Sequence, residues 1–197
     1  MKNIIILISG AGTTMRAIVE AAQQGNWAQT ANGRVAAVIS NRPDSAGLQV
    51  AAGLGVATAC VDHKRFATRP DFEAALTAQI AKFVVDFGSV DLVCLAGFMR
   101  ILSANFVRQY AGRMVNIHPS LLPHFPGLHT HQRALDAGHT QAGTTVHWVI
   151  PELDAGPIIA QAQVPVWPGD TADLLAQRVQ ATERLLYPRV VLELLKK

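Results

Sequence analysis

Residues 4–14 read IIILISGAGTT, and they give the clearest indication of the fold. Five consecutive apolar residues, Ile4–Ile8, predict a strand that is buried on both faces. A turn that contains two glycines follows, and a helical pattern runs from Thr14 to Gln24. A buried strand that leads through a glycine turn into a helix is the first unit of a parallel α/β sheet.

The same alternation of short strands and helices continues along the chain. Further strands are predicted at Arg34–Ser40, Ala57–Val61, Asp91–Leu95, Met114–Ile117, Thr144–Val149 and Pro157–Val166, the last two as an antiparallel addition to the sheet. Further helices are predicted at Ala46–Leu54 and Pro70–Asp86, with a closing helix from Asp170 or Thr171 to Leu195. A Pro- and His-rich loop is expected at 118–131, and Pro188 predicts a kink or a break in the closing helix. We therefore expect one α/β domain over residues 1–197.

Composition narrows the class of protein. The chain has 197 residues, of which 50% are hydrophobic and 16% charged, as in a packed globular domain. The net charge is +3 and the 17 basic residues are scattered, so we expect no nucleic-acid partner. No apolar stretch approaches the roughly 20 residues of a membrane span. The apolar start is too short for a signal peptide, and two cysteines form no disulfide framework, so we expect a cytoplasmic protein without a membrane partner.

The turn after the first strand is a candidate anion site. Backbone N–H groups and the helix dipole attract anions at a helix start. Gly10 and Gly12 permit close backbone approach, and Thr13 and Thr14 add hydroxyl groups. The turn lacks the Gly-Lys-Ser/Thr ending of a Walker loop and the third glycine of a dinucleotide-binding fingerprint. It indicates a phosphate site, with a tight strand-to-helix connection as the alternative.

Asn116, His118 and Asp154 are the candidate catalytic residues. Asn116 and His118 lie two residues apart at a strand end, so their side chains point to the same side of the sheet. An amide N–H can stabilise an oxyanion, and an imidazole can move a proton. A carboxylate at Asp154 would favour the protonated imidazole if the two meet, although a simple turn aspartate is the alternative. The set suits acyl chemistry.

Other histidines are weaker candidates. His124, His129 and His131 share the loop after His118, but no cysteine or His-Glu-x-x-His pattern accompanies them, so we expect no metal site. His147 lies in a predicted strand, where it either packs or supports the catalytic residues.

Together these motifs resemble the folate-dependent formyltransferase family. The matching segments span the chain in order: ISGAG at 8–12, LAGFMRIL at 95–102, NIHPSLLP at 116–123, FPGLHTH at 125–131, GTTVH at 143–147, ELDAGP at 152–157 and RVQATE at 178–183. Asn116, His118 and Asp154 match residues common to the whole family. The phosphate turn, 127–131 and 178–183 resemble the branch that acts on glycinamide ribonucleotide.

The resemblance implies a fold and a reaction. The fold would be a single Rossmann-like formyltransferase domain with a mostly parallel sheet and helices on both faces. Residues 1–100 would form the phosphate- and ribonucleotide-binding half, and residues 101–197 the catalytic and folate-binding half. The formyl group of the cosubstrate 10-formyltetrahydrofolate would pass to the amine of glycinamide ribonucleotide, in purine biosynthesis and without a metal. The protein would be a monomer or a homodimer.

The resemblance also implies roles for individual residues. Asn116 and His118 would stabilise the tetrahedral oxyanion, His118 would donate the proton, and Asp154 would act on His118. The ribonucleotide would contact Gly12, Thr13, Thr14, Gln180, Ala181, Thr182 and Glu183. The folate would contact Arg69, Met99, Arg100, Ile101, Leu102, Asn116, Ile150, Pro151, Glu152, Leu153 and Asp154. At position 14 the family often has an amide, where this chain has a threonine hydroxyl that can still donate a hydrogen bond.

Three alternatives remain open. A formyltetrahydrofolate hydrolase uses the same three catalytic residues with water as acceptor, but normally carries an additional amino-terminal regulatory domain. Methionyl-tRNA formyltransferase normally carries a carboxy-terminal RNA-binding domain. A non-catalytic phosphate-binding module would use only the turn at 10–14, and it leaves Asn116, His118 and Asp154 without a role.

Overall fold

One seven-stranded sheet forms the centre of the computed structural model, which describes residues 1–197. The strands are β1 (Lys2–Ile8), β2 (Gly33–Ser40), β3 (Ala57–Cys60), β4 (Val90–Leu95), β5 (Met114–His118), β6 (Gln141–Trp148) and β7 (Ile158–Pro165). The helices are α1 (Thr13–Gln24), α2 (Trp27–Thr30), α3 (Ala46–Gly53), α4 (Arg69–Phe87), α5 (Ala104–Gln109), α6 (Thr130–Asp136) and α7 (Ala172–Leu195), with a 3₁₀ turn at His63–Arg65. None of the helices combines the length and hydrophobicity that a transmembrane segment requires.

The strand order creates a crevice between β1 and β4. The order is β3-β2-β1-β4-β5-β6-β7, with β1 to β5 parallel and with β6 and β7 antiparallel to their neighbours. From β1 the chain first builds outward to β3, and then returns to place β4 on the other side of β1. Ligands of open α/β sheets bind where the strand order reverses in this way, beyond the carboxyl ends of the strands. The turn at 9–13 and the segment after β4 both lie at that position.

Two apolar cores explain the continuous hydrophobic pattern of β1. Ile4, Ile6 and Ile8 belong to a core cluster that includes residues of α1 and α7, whereas Ile5 and Leu7 belong to a cluster with residues of α4 and α5. Successive side chains of a strand point to opposite faces, so a central strand covered on both sides must be apolar at every position. The expected α/β class, the mostly parallel sheet and the antiparallel addition are confirmed.

The structure differs from the sequence predictions in helix α7 and in three short helices. Helix α7 continues through Pro188, so the break allowed for there is wrong; Tyr187, Val190 and Val191 pack in the core on both sides of the proline. Three short helices, α2, α5 and α6, were not predicted, and α6 begins inside the expected loop, at Thr130. Helices of four to seven residues contain too few turns to show a periodic apolar pattern.

Candidate active site

Strand pairing positions the candidate catalytic residues. Asn116 and His118 lie on β5, which pairs in parallel with β4 and antiparallel with β6. In the register of β5 and β6, Asn116 is opposite His147 and His118 is opposite Thr145. Directly opposed residues on one face of an antiparallel pair are in contact distance. The end of β5 therefore carries both predicted residues, and β6 places a second histidine, His147, beside them.

His118 lies between two hydrogen-bond acceptors. Its Nδ1 is 3.4 Å from Asp154 Oδ2, and its Nε2 is 3.0 Å from the carbonyl oxygen of Phe125. The His118 and Asp154 side chains are each 7% exposed. Both ring nitrogens of His118 therefore face protein acceptors, and these two contacts define the orientation of the ring.

The backbone of Asp154 turns its carboxylate toward His118. Asp154 has φ 50°, a left-handed conformation that aspartate tolerates better than most residues. Its Oδ2 also accepts a hydrogen bond from Gly127 N at 2.8 Å, and its Oδ1 is 3.8 Å from His147 Nε2. The carboxylate thus links the loop after β5 to the loop after β6.

His147 orients the amide of Asn116. The distance from His147 Nδ1 to the carbonyl oxygen of Trp148 is 2.9 Å, so Nδ1 carries the hydrogen and donates it there. His147 Nε2 can then accept from Asn116 Nδ2 at 3.2 Å. Burial lowers the pKa of His147, which favours the neutral ring that this contact requires. The second N–H of the Asn116 amide remains available for an oxyanion.

The predicted ribonucleotide residues come together from opposite ends of the chain. Gly12 precedes α1 with φ 72°, and the buried side chain of Thr14 on α1 lies beside Glu183 of α7. Glu183 is buried and also lies 3.5 Å from Thr144 Oγ1 of β6, a residue that the sequence analysis missed. Burial raises the pKa of Glu183 to about 7.

The other predicted ribonucleotide residues face solvent to differing degrees. Thr13, Gln180 and Ala181 are exposed, and Thr182 is half-buried with its hydroxyl donating to Arg178 O at 3.2 Å. These four residues are neighbours in sequence of Thr14 on α1 or of Glu183 on α7. The seven predicted positions therefore lie at the start of α1 and along residues 180–183 of α7, two helices that pack against each other.

Apart from Asn116 on β5, the predicted folate residues lie in three separate segments. Residues 99–102 follow β4 at the crevice, and residues 150–154 follow β6. Met99, Ile101 and Leu153 are large apolar side chains that are 67%, 60% and 57% exposed. Arg69 is the exposed first residue of α4 and makes no hydrogen bond or ion pair.

Among the loop histidines, His124 has a packing role. His139 packs edge-on against the rings of His124 and Phe125, with ring centroids 5.4 and 4.9 Å apart. No group of three or more His, Cys, Asp or Glu side chains is placed to hold a metal ion. The signal that could have identified His147 was the strand register, because it places His147 opposite Asn116.

Comparison with known proteins gives a consistent set of relatives. A family model described as formyl transferase matches residues 2–191. The chain is 47% identical over 189 residues to phosphoribosylglycinamide formyltransferase of Escherichia coli (strain K12), covering 96% of this chain and 85% of the relative. The crystal structure of phosphoribosylglycinamide formyltransferase from Brucella melitensis superposes with a TM-score of 0.88 at 46% identity, covering 100% of this chain and 96% of the other.

Some relatives are much longer proteins. The chain is 45% identical over 190 residues to the trifunctional purine biosynthetic protein adenosine-3 of Drosophila melanogaster. The match covers 96% of this chain but only 14% of that protein. The same fold therefore occurs both as a separate polypeptide and as a small part of a larger one.

Proposed function

This chain belongs to the formyl transferase family, and we propose that it transfers the formyl group of 10-formyltetrahydrofolate to the amine of N1-(5-phosphoribosyl)glycinamide. The products are N-formylglycinamide ribonucleotide and tetrahydrofolate, in purine biosynthesis. The observation that carries the proposal is the joint placement of Asn116, His118 and Asp154 at the end of β5. The relatives named phosphoribosylglycinamide formyltransferase support this acceptor over water.

The reaction follows from the groups at the site. The amine nitrogen attacks the formyl carbon, and the carbonyl oxygen becomes an oxyanion. The free N–H of Asn116 donates to that oxygen, together with the imidazolium of His118. When the bond from the formyl carbon to N10 breaks, N10 gains a proton and the amine loses one, so the net reaction moves one proton between the two nitrogens.

His118 must exchange a partner to take part. Both of its ring nitrogens face protein acceptors, Asp154 and the carbonyl of Phe125. The Asp154 contact stabilises the imidazolium, so the Phe125 carbonyl is the partner that the substrate replaces. Proton donation by a positioned acid contributes roughly 100–10,000-fold to a rate.

The two substrates have separate binding regions in this proposal. The ribonucleotide phosphate binds at Gly12, Thr13 and Thr14 at the start of α1, and Glu183 contacts its glycinamide end. The pterin ring lies against residues 99–102, with residues 150–154 closing over it, and Arg69 contacts the folate tail. Residues 1–100 then supply mainly the phosphate site and residues 101–197 the catalytic groups. We further propose that the protein acts in the cytoplasm, as a monomer or a homodimer and without a metal.

A spectroscopic assay of tetrahydrofolate formation tests the proposal. We expect turnover that requires glycinamide ribonucleotide and that falls at least about 100-fold in His118→Ala. His129→Asn is the matched control, because the His129 side chain is exposed and forms no hydrogen bond, and its backbone has a positive φ that asparagine tolerates. Equal turnover without the ribonucleotide would identify a hydrolase. Absence of turnover under both conditions would contradict the proposed chemistry.

A further inference from the structure

Residues 99–102 have an unusual backbone. They lie between β4 and α5, outside regular secondary structure. No hydrogen bond within the protein uses the N–H or C=O groups of Arg100, Ile101 and Leu102. Met99 and Ile101 expose apolar side chains beside these free backbone groups. A flat heteroaromatic ligand with alternating donors and acceptors fits such a surface, provided that the segment keeps its shape when unoccupied.

Ser9 holds the beginning of this segment. The Ser9 hydroxyl donates to Asn41 Oδ1 at 2.5 Å, so its oxygen accepts from Met99 N at 2.7 Å with a defined orientation. Ser9 N also donates to Gly97 O at 3.1 Å. Ser9 is buried at the end of β1, and these contacts leave the first residue of the segment little freedom.

Glu73 holds the end of the segment. Its carboxylate accepts hydrogen bonds from Ser103 N, at 2.6 Å, and from the Ser103 hydroxyl. The Ser103 hydroxyl oxygen also accepts from Phe106 N and caps α5. Glu73 is 6% exposed and forms no salt bridge, so its burial depends on these two bonds from Ser103. Burying a carboxylate costs free energy unless it accepts hydrogen bonds, so the bonds from Ser103 to Glu73 are maintained. They hold Ser103, and with it Leu102, in a fixed position.

We propose that Glu73 is a positioning residue for folate binding. Through Ser103, Glu73 keeps the free backbone groups of residues 100–102 in the geometry that the pterin ring needs. The segment cannot relax at its other end, because Ser9 holds Met99. The inference rests on the proposed function, since it assigns the folate to this segment. Glu73 lies one helical turn after Arg69 on α4, so that helix would contribute to both ends of the folate site.

Steady-state kinetics of Glu73→Gln tests this role. The amide keeps one acceptor oxygen but replaces the other with an N–H₂ group, so one of the two bonds from the Ser103 donors is lost and Ser103 shifts. We expect the KM for 10-formyltetrahydrofolate to rise about tenfold, the effect of losing one hydrogen bond to a charged group. The KM for the ribonucleotide, and kcat at saturating folate, should change by less than about twofold, because the phosphate and catalytic residues do not contact Glu73.

Asp86→Asn is the matched control. It changes a carboxylate to an amide in the last turn of α4, where the Asp86 side chain is exposed and forms no hydrogen bond or ion pair. The KM for folate should be unchanged in this variant. A Glu73→Gln enzyme with an unchanged folate KM would overturn the inference, and so would a uniform loss in which both KM values and kcat worsen together. An inactive wild-type enzyme would instead contradict the proposed function.

Ser103→Ala provides a second, independent variant. It removes the hydroxyl contact with Glu73 but leaves the backbone contact, so we expect a smaller rise in folate KM, about threefold. If Glu73→Gln does not fold, the folate KM of Ser103→Ala tests the inference in its place. In the double variant, the rise should be less than the product of the two single effects, because both act through one contact. Full multiplicativity would show that Glu73 acts by another route and would overturn the inference.

Discussion

At the scale of single residues, the Asp154 carboxylate lies beside two histidines, His118 and His147, that have different hydrogen-bond partners. His147 donates from Nδ1 to a carbonyl and is buried, so its Nε2 stays an acceptor for Asn116. His118 instead has an acceptor near each ring nitrogen, the Asp154 carboxylate and the carbonyl oxygen of Phe125. In the proposed reaction, Asn116 would bind the oxyanion and His118 would supply the proton.

Glu183 should make the free protein less stable as the pH rises. Burial raises its pKa from 4.5 to about 7, so the folded state retains a proton that the unfolded state releases between these values. The free energy of unfolding therefore falls as the pH rises through this window, by on the order of 3 kcal/mol. Glu183→Gln does not titrate, so urea unfolding should show its stability relative to wild type increasing from pH 5 to pH 8.

Glu193→Gln is the control for this prediction, because Glu193 is an exposed residue of the same helix. Its stability relative to wild type should be nearly independent of pH. If the stability difference between Glu183→Gln and wild type is also constant between pH 5 and pH 8, the prediction is wrong. The Glu183 carboxyl group would then already be ionised in the folded protein at pH 5.

At the scale of elements, the turn between β1 and α1 depends on Gly12. Its φ of 72° is unfavourable for other residues, and a Cβ there would lie 2.8 Å from Gly47 Cα, which is backbone and cannot move aside easily. We expect Gly12→Ala to lower the Tm by about 4–8 °C, from about 2 kcal/mol of strain. The displaced turn should also raise the KM for the ribonucleotide.

Gly10→Ala separates this effect from a general intolerance of side chains in the turn. A Cβ at Gly10 meets nothing within 4 Å, and its φ is not positive. Differential scanning calorimetry should give a Tm within about 1 °C of wild type. Equal loss of Tm in both variants would mean that the conformation at Gly12 is not the cause.

At the scale of the whole molecule, the two ends of the chain share one core. Tyr187, Val190, Val191 and Leu195 of α7 pack in the same cluster as Ile4 and Met15. The Tyr187 hydroxyl also contacts the carbonyl oxygens of Leu95 and Val115 at 3.2 and 3.0 Å, at the ends of β4 and β5. We therefore expect residues 1–100 and 101–197 to unfold together.

Tryptophan fluorescence can test this cooperativity. Trp27 is buried in the first half of the chain, and Trp148 is half-buried in the second. In variants that retain only one of them, with phenylalanine at the other tryptophans, the fluorescence and far-UV circular dichroism transitions in urea should coincide. A fluorescence midpoint that departs from the circular dichroism midpoint in either variant would show that the halves unfold separately.

The sequence by itself determined the features that depend on neighbouring residues. The apolar run of β1, its glycine turn and the alternation of strands and helices predicted the α/β fold, because burial on both faces imposes a local pattern. Asn116 and His118 could be recognised for the same reason, since their two-residue spacing on a strand is local. The family resemblance added the expected function and the residues of each binding region.

Only the tertiary structure decided how distant residues meet. The contact of Asn116 with His147 depends on strand register, and the contacts of Glu183 with Thr14 and Thr144 depend on how α7 packs against α1 and β6. Glu73 and Ser103 are 30 positions apart, and no pattern in either segment indicates the other. Such contacts are set by the packing of elements from distant parts of the chain, which a local sequence pattern cannot encode. The candidate site was therefore predictable in its principal residues, but not in the side chains that hold them in place.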